Sequence, residues 1–286
     1  IIEEAKKLGY NVAMYSSFEL HNDGFMRGEI GILDLPDYGK LDGVILVLDS
    51  MEVPEMKEKA IQQVKARCHC PVVCIRERNE NFHNVLVDDR DTMREMIDHF
   101  LGYHRFKDVC FLAGPEGYSD SDQRLDCFIE SMEKYGLPVT EKQIRHGHFW
   151  KNDGTPACKQ FIDERGRIPD AIICANDYMA ISVCNELIER GLSIPDDVAV
   201  CGCDNIWETT VCAPSLSTVQ VPFHEMAHRA VDMIDEIRRG VEVPKDVYFP
   251  IKTVKRESCG CVRPNKEELM ADRKEFYDFY ERQREH

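Results

Sequence analysis

Short apolar runs that stop abruptly at polar residues alternate along this chain with stretches whose apolar residues recur every three or four positions. The first pattern is that of a buried strand, the second that of an amphipathic helix. Residues 171–174 (Ala-Ile-Ile-Cys) stop at Asn176 and Asp177, and residues 198–201 (Val-Ala-Val-Cys) stop at Asp204 and Asn205. Between them Ala180, Val183, Cys184, Leu187 and Ile188 form a helical stripe, which Gly191 ends. The unit predicted is strand–helix–strand, with parallel strands finishing on the same edge of a sheet. Ligands of open α/β sheets bind outside that edge. Alone, Asn176 and Asp177 would read as caps of the helix they precede. A second polar pair at the next strand end makes the edge a candidate binding site.

The alternation continues in both directions. Residues 1–9 read as the end of a helix closed by Gly9, and residues 11–15 as a strand. In a βαβ unit that helix follows a strand, so an earlier strand is expected upstream of residue 1. Residues 43–48 are apolar on both faces, like a buried parallel strand, and end at Asp49 and Ser50. A helix is predicted over 56–66, a strand over 71–75 ending at Arg76, and a short extended piece over 85–87 before Asp88. Asp91 or Thr92 is placed to cap a helix striped by Met93, Met96, Ile97, Phe100 and Leu101. A strand over 109–113 is broken by Gly114-Pro115. Leu125, Phe128, Ile129, Met132 and Tyr135 then stripe a helix. His148-Phe149-Trp150 precedes a helix over 157–164. Residues 217–221 read as extended, Phe223 opens a long amphipathic helix ending at Gly240, and 247–254 read as a last strand. The fold class predicted is α/β, two successive doubly wound halves with parallel sheets covered on both faces. Residues 262–286, charged and without glycine, predict a helical tail or linker outside that core.

Composition narrows the function. A chain of 286 residues can hold two domains, each with its own core. Its net charge of −16 and the lack of a dense basic stretch argue against direct binding to DNA. No apolar run is long enough to span a bilayer and no signal peptide is visible, so no membrane partner is expected. Thirteen cysteines, an odd number and several inside apolar runs, point to a reducing, cytoplasmic setting. Of the Cys-x-Cys pairs Cys68/Cys70, Cys201/Cys203 and Cys259/Cys261, packing is the reading for Cys201. A metal site is a lesser alternative at Cys259/Cys261, because zinc pairs are usually spaced Cys-x-x-Cys. No metal and no cofactor are assigned. There is no Gly-x-Gly-x-x-Gly, no phosphate-binding loop and no local nucleophile–base pair, so an enzyme is not expected.

Four strings, taken in order, resemble the effector-binding core of the lactose-repressor (LacI/GalR) family. They are Pro-Asp-Ala-Ile-Ile-Cys-Ala-Asn-Asp-Tyr-Met-Ala from Pro169 and Gly-Leu-Ser-Ile-Pro-Asp-Asp-Val-Ala-Val-Cys-Gly-Cys-Asp-Asn from Gly191. Pro-Ser-Leu-Ser-Thr-Val-Gln-Val-Pro from Pro214 and Arg-Glu-Ser-Cys-Gly-Cys from Arg256 complete them. Residues 109–114 and the stretch around Arg124 fit the same pattern. The resemblance implies a periplasmic-binding-protein-like fold of type I, two lobes around a ligand cleft. It places residues 1–113 with 222–246 in one lobe and 114–221 with 247–261 in the other. It also implies that Arg124, Asn176 and Asp204 hydrogen-bond a small-molecule effector, with Phe149 or Trp150 stacking on it. Asp49, Ser50 and Arg76 would contribute from the first lobe, with Asp88 nearby.

Three departures stand out. Asn205 takes the place of a usual second carboxylate, and Val221 rather than glutamine precedes Pro222. The acidic-then-basic order usual near Arg76-Glu77-Arg78 is not kept. The family reading implies a homodimeric regulator sensing a small polar metabolite such as a sugar, with DNA bound only through a domain absent from this sequence. The same module also resembles sensors joined through such a tail to diguanylate cyclases or histidine kinases. A transport-type binding protein is the third reading.

Overall fold

The computed structural model describes residues 1–16, 30–48, 51, 54–87 and 90–261. The strands are β1 (Val44–Val47), β2 (Val72–Ile75), β3 (His83–Val87), β4 (Val109–Ala113) and β5 (Ile144–His146), followed by β6 (Ala171–Cys174), β7 (Ala199–Cys201), β8 (Thr218–Gln220), β9 (Asp246–Phe249) and β10 (Lys252–Val254). The α-helices are α1 (Ile2–Lys7), α2 (Pro54–Arg67), α3 (Arg90–Asp98) and α4 (Ser119–Lys134), then α5 (Gly154–Cys158), α6 (Asp177–Glu189), α7 (Glu208–Val211) and α8 (Phe223–Arg238). No helix among the described residues is long and apolar enough to cross a membrane.

Two compact units result. The first comprises Ile1–Asp88 and Pro222–Pro250. Its sheet runs β1-β2-β3-β9 with every pair parallel. Tyr38, Leu46, Leu48, Val64, Val72, Cys74 and Phe82 form a core cluster in this unit. Helix α8 packs against β2 and β3 with Met226, Ala230, Val231, Met233 and Ile234 buried. It lies so near β1 that a Cβ at Gly43 would come within 2.3 Å of Ile234 Cγ2. Only glycine lets the two elements approach that closely.

The second unit comprises Asp89–Val221 and Ile251–His286, and its main sheet runs β5-β4-β6-β7, again all parallel. Strands β4, β6 and β7 are buried at every position, as their uninterrupted apolar runs require when helices cover both faces. Phe111 of β4 stacks on Phe128 of α4 with ring centroids 5.1 Å apart. Bridges Cys201↔Ser217 and Asp204↔Gln220 carry the segment before and through β8 alongside the end of β7. Strand β10 pairs antiparallel with β8.

The structure corrects several expectations. Residues 11–15 form no strand; Val12, Met14 and Tyr15 are exposed, and an alternating pattern makes a strand only where a ladder partner exists. Helix α3 already begins at Arg90, so Asp91 lies inside its first turn and not at its cap. The buried face of α4 is Ser121, Arg124, Cys127, Phe128, Ser131 and Met132, while Ile129 and Tyr135 are exposed. The face therefore keeps Phe128 and Met132 but is turned from the expected stripe by roughly 60°.

The boundary expected after residue 113 lies instead at 88/89, since β4 pairs with β5 and β6. The expected last strand over 247–254 is two strands in different units. Strand β9 pairs with β3, and β10 pairs with β8 beyond Pro250, which has no N–H to continue a ladder. Asp49, Ser50, Asp88 and residues 262–286 lie outside the described residues.

Candidate functional site

The carboxyl ends of β6 and β7 in the second unit carry the two polar pairs. After β6, Asn176 adopts an extended conformation and caps α6, its Oδ1 accepting from Met179 N–H at 3.0 Å. Its Nδ2 donates to the Phe149 carbonyl at 2.9 Å. Both ends of the amide are thus engaged inside the protein, which gives Asn176 the capping role and makes it a support for the Phe149 backbone. Asp177 follows, fully buried: Oδ1 accepts from Thr218 Oγ1 at 2.6 Å and Oδ2 from Ile206 N–H at 2.9 Å. Burial pushes its carboxyl well above the usual carboxylate range, and the charge of Asp204 adds to that, while the two donors oppose it. The close approach of β7 depends on Gly202, where a Cβ would lie 2.3 Å from Asp177 Oδ1.

After β7 the chain turns through Asp204 at φ 114° and Asn205 at φ 57°. Consecutive non-glycine residues in this region are uncommon and costly, and such strain concentrates at ligand sites. The turn leaves the Asp204 side chain 21% exposed and 3.6 Å from Arg124 Nη2. Arg124 projects from the buried face of α4, 2% exposed, and its Nη1 donates to the Ala175 carbonyl at the end of β6. Asp120, one turn earlier on α4, also lies 3.6 Å from Nη2. These ion pairs are longer than hydrogen bonds. A buried guanidinium therefore stands behind two part-exposed carboxylates. Asn205, by contrast, is structural, its Oδ1 accepting from Arg256 Nη2 at 2.7 Å.

Of the two aromatic candidates, Phe149 belongs to this edge. Its ring lies over the end of β4, where a Cβ at Gly114 would come within 2.2 Å of it, and edge-on to Tyr118, centroids 6.2 Å apart. Its own backbone sits at φ 63°. Trp150 is 55% exposed, and its N–H donates to Asp153 Oδ2 at 3.0 Å. In the first unit, Arg76 ends β2 at φ 74° with its guanidinium 5.7 Å from the centre of the Phe223 ring.

Sequence reasoning missed Asp120, although its spacing of four from Arg124 is that of a helical ion pair. It also missed Tyr118, which no local pattern marks. Cys259 and Cys261, where the sequence offers a metal site as a lesser alternative, converge with His99 and His104.

The model of the periplasmic binding protein-like domain family matches residues 97–259. Among curated relatives, the probable HTH-type transcriptional repressor ExuR of Bacillus subtilis is 26% identical over 80% of this chain and 68% of its own length. The repressor MelR of the same organism is 28% identical over 78% of this chain and 65% of its own length. The chain thus spans about two thirds of these relatives. A sugar-binding transcriptional regulator of the LacI family from Escherichia coli, solved with phosphate, is 25% identical with a TM-score of 0.66, over 82% of this chain and 81% of that one. The relatives are transcriptional repressors and not enzymes. Parallel sheets in two α/β units, the match over most of the second unit and these relatives together make the chain a periplasmic-binding-protein-like effector domain of the LacI/GalR family.

Proposed function

We propose that this chain is the ligand-sensing domain of a transcriptional regulator and that its effector is a small polyhydroxylated molecule, a sugar or sugar acid. The observation that carries the reading is the Arg124 guanidinium, buried and fixed by the Ala175 carbonyl, with the Asp120 and Asp204 carboxylates at 3.6 Å in front of it. Carboxylates accept directionally from hydroxyl groups, and a guanidinium donates to ring and carboxylate oxygens. Phe149 supplies an apolar ring face, and Asn176 acts by holding its backbone. The E. coli relative described as sugar-binding supports the ligand class. Arg76, Asp49 and Ser50 are further candidates from the first unit on the family resemblance.

The acidic chain leaves DNA contact to a helix-turn-helix domain outside this sequence. Thirteen free cysteines support a cytoplasmic setting, and exposed Ile2, Leu8 and Met14 support a homodimer through the first unit. Sedimentation of the chain at micromolar concentration tests the dimer. For the site, calorimetric titration of a panel of sugars and sugar acids is expected to find a ligand. Asp204→Ala should weaken that ligand by about 10- to 100-fold, the worth of one or two charge-assisted hydrogen bonds. An affinity unchanged in Asp204→Ala sinks the site assignment.

A further inference from the structure

In the second unit, far along the chain from the strand-end acids, two imidazoles and two thiols converge: His99, His104, Cys259 and Cys261 place one ligand atom each within 4.8 Å of one another. His99 Nε2 lies 2.8 Å from Cys261 Sγ, His104 Nε2 lies 3.3 Å from the same sulfur, and the two Nε2 atoms are 3.1 Å apart. Tetrahedral zinc with bonds of about 2.3 Å to sulfur and 2.0–2.1 Å to nitrogen separates its ligand atoms by roughly 3.3–3.8 Å. The three separations among His99, His104 and Cys261 are close to the edges of that tetrahedron, slightly contracted, and Cys259 Sγ lies within 4.8 Å of all three. We propose that these four residues form a structural zinc site, which fastens the turn at Glu257–Cys259 and its continuation to the end of helix α3.

The local backbone is shaped for it. Helix α3 continues as a π-helical turn, His99–Tyr103, in which His104 N–H donates to the His99 carbonyl. In an α-helix, residues five apart point about 140° away from each other. The wider turn brings His99 and His104 onto one face, and such turns recur at functional sites. The rings are held by stacking, His99 on Tyr103 at 5.0 Å and His104 on Phe106 at 5.2 Å. On the other side, Gly260 at φ 79° ends the short helix and reverses the chain, so that Cys259 and Cys261 face one point despite a single intervening residue.

Three of the four residues are part-exposed and Cys259 is buried, which leaves a path for the ion and a closed shell around it. A dication would replace two thiol protons, released to solvent, and the resulting Cys₂His₂ complex is electrically neutral. Soft thiolates with imidazoles in a tetrahedron select zinc among common divalent ions. Four protein ligands make the site structural and not catalytic. Among the described residues no other group of three or more such side chains converges, and the pair Cys68/Cys70 has no imidazole partner.

The test measures metal in the purified chain by mass spectrometry and then titrates the metal-free chain with cobalt(II). One zinc per chain is expected, along with the visible absorption of tetrahedral cobalt and a sulfur-to-cobalt charge-transfer band. Cys261→Ser and His104→Asn should each lose at least 10-fold in cobalt affinity, while Cys68→Ser keeps it. Binding unchanged in both variants overturns the proposal, as does stoichiometric iron in place of zinc. Should the variants fail to fold, the wild-type cobalt spectrum decides. An octahedral spectrum, or one without charge transfer, is incompatible with an S₂N₂ site.

Discussion

Asp177 and Asp204 stand at adjacent strand ends of one sheet, with the same side chain and opposite fates. Asp177 opens helix α6, is drawn beneath it, and spends both oxygens on Thr218 and the Ile206 N–H. Asp204 opens no helix, since α7 begins only at Glu208; its left-handed backbone turns the carboxylate outward, where it stays 21% exposed beside Arg124. An acid drawn beneath a helix start is consumed by buried hydrogen bonds, whereas one on a strained turn remains available to a ligand. In the proposed site Asp204 is therefore the reader, and Asp177 sets the platform under it.

The strongest way to break this contrast is to disturb the platform. Gly202→Ala puts a methyl 2.3 Å from Asp177 Oδ1 and 2.9 Å from its Cα, a clash that backbone must relieve. A loss of about 3 kcal/mol in urea unfolding is expected. Asp177→Ala should cost about 2 kcal/mol, because Thr218 Oγ1 and the Ile206 N–H lose their buried acceptor. Asp204→Ala should cost less than about 1 kcal/mol, as part-exposed ion pairs contribute little. If both aspartates cost the same on truncation, their division into platform and reader fails.

The protonation of Asp177 sharpens the comparison further. Burial, followed by the charge of Asp204, raises its carboxyl well above the usual carboxylate range. The folded chain then binds this proton more tightly than the unfolded chain does. Its contribution is favourable below the unfolded pKa of about 3.9 and is lost as pH rises through the raised folded value. Asp177→Asn cannot titrate. The stability of that variant relative to wild type should therefore improve steadily as pH rises from about 4 towards neutrality. A flat difference across that window means that Asp177 is ionised in the folded protein, its two donors having won over burial.

How much of this was legible beforehand depended on whether the information was local. Residues 171–174 and 109–113 were readable as strands because a run apolar on both faces has few other uses. Which sheet a strand joins is not local, and so β4 and β9 were assigned to the wrong halves. Residues 11–15 had the composition of a strand without a ladder. Arg124 and Asp204, 80 positions apart, were brought together only by the family resemblance, and Asp120 joins them through ordinary helix spacing. The cysteines at 259 and 261 were noticed, but His99 and His104 were not. Five-residue spacing points two side chains apart on the α-helix that the pattern predicted, and only the π-helical turn unites them.

The smallest expected effect isolates the backbone of the reader from its charge. At φ 114° Asp204 lies where any side chain is strained, by about 1–3 kcal/mol. Alanine removes the carboxylate and keeps the Cβ. Glycine removes both, but adds freedom to the unfolded chain worth about 0.4–1 kcal/mol. Asp204→Gly is therefore expected to be more stable than Asp204→Ala by about 1 kcal/mol, with both equally defective in binding. Glycine no more stable than alanine would show that the turn carries no strain, leaving the outward carboxylate to be explained by the Arg124 ion pair alone. The expected order means that the fold accepts a cost at this one residue, and that cost is what turns Asp204 away from the buried fate of Asp177.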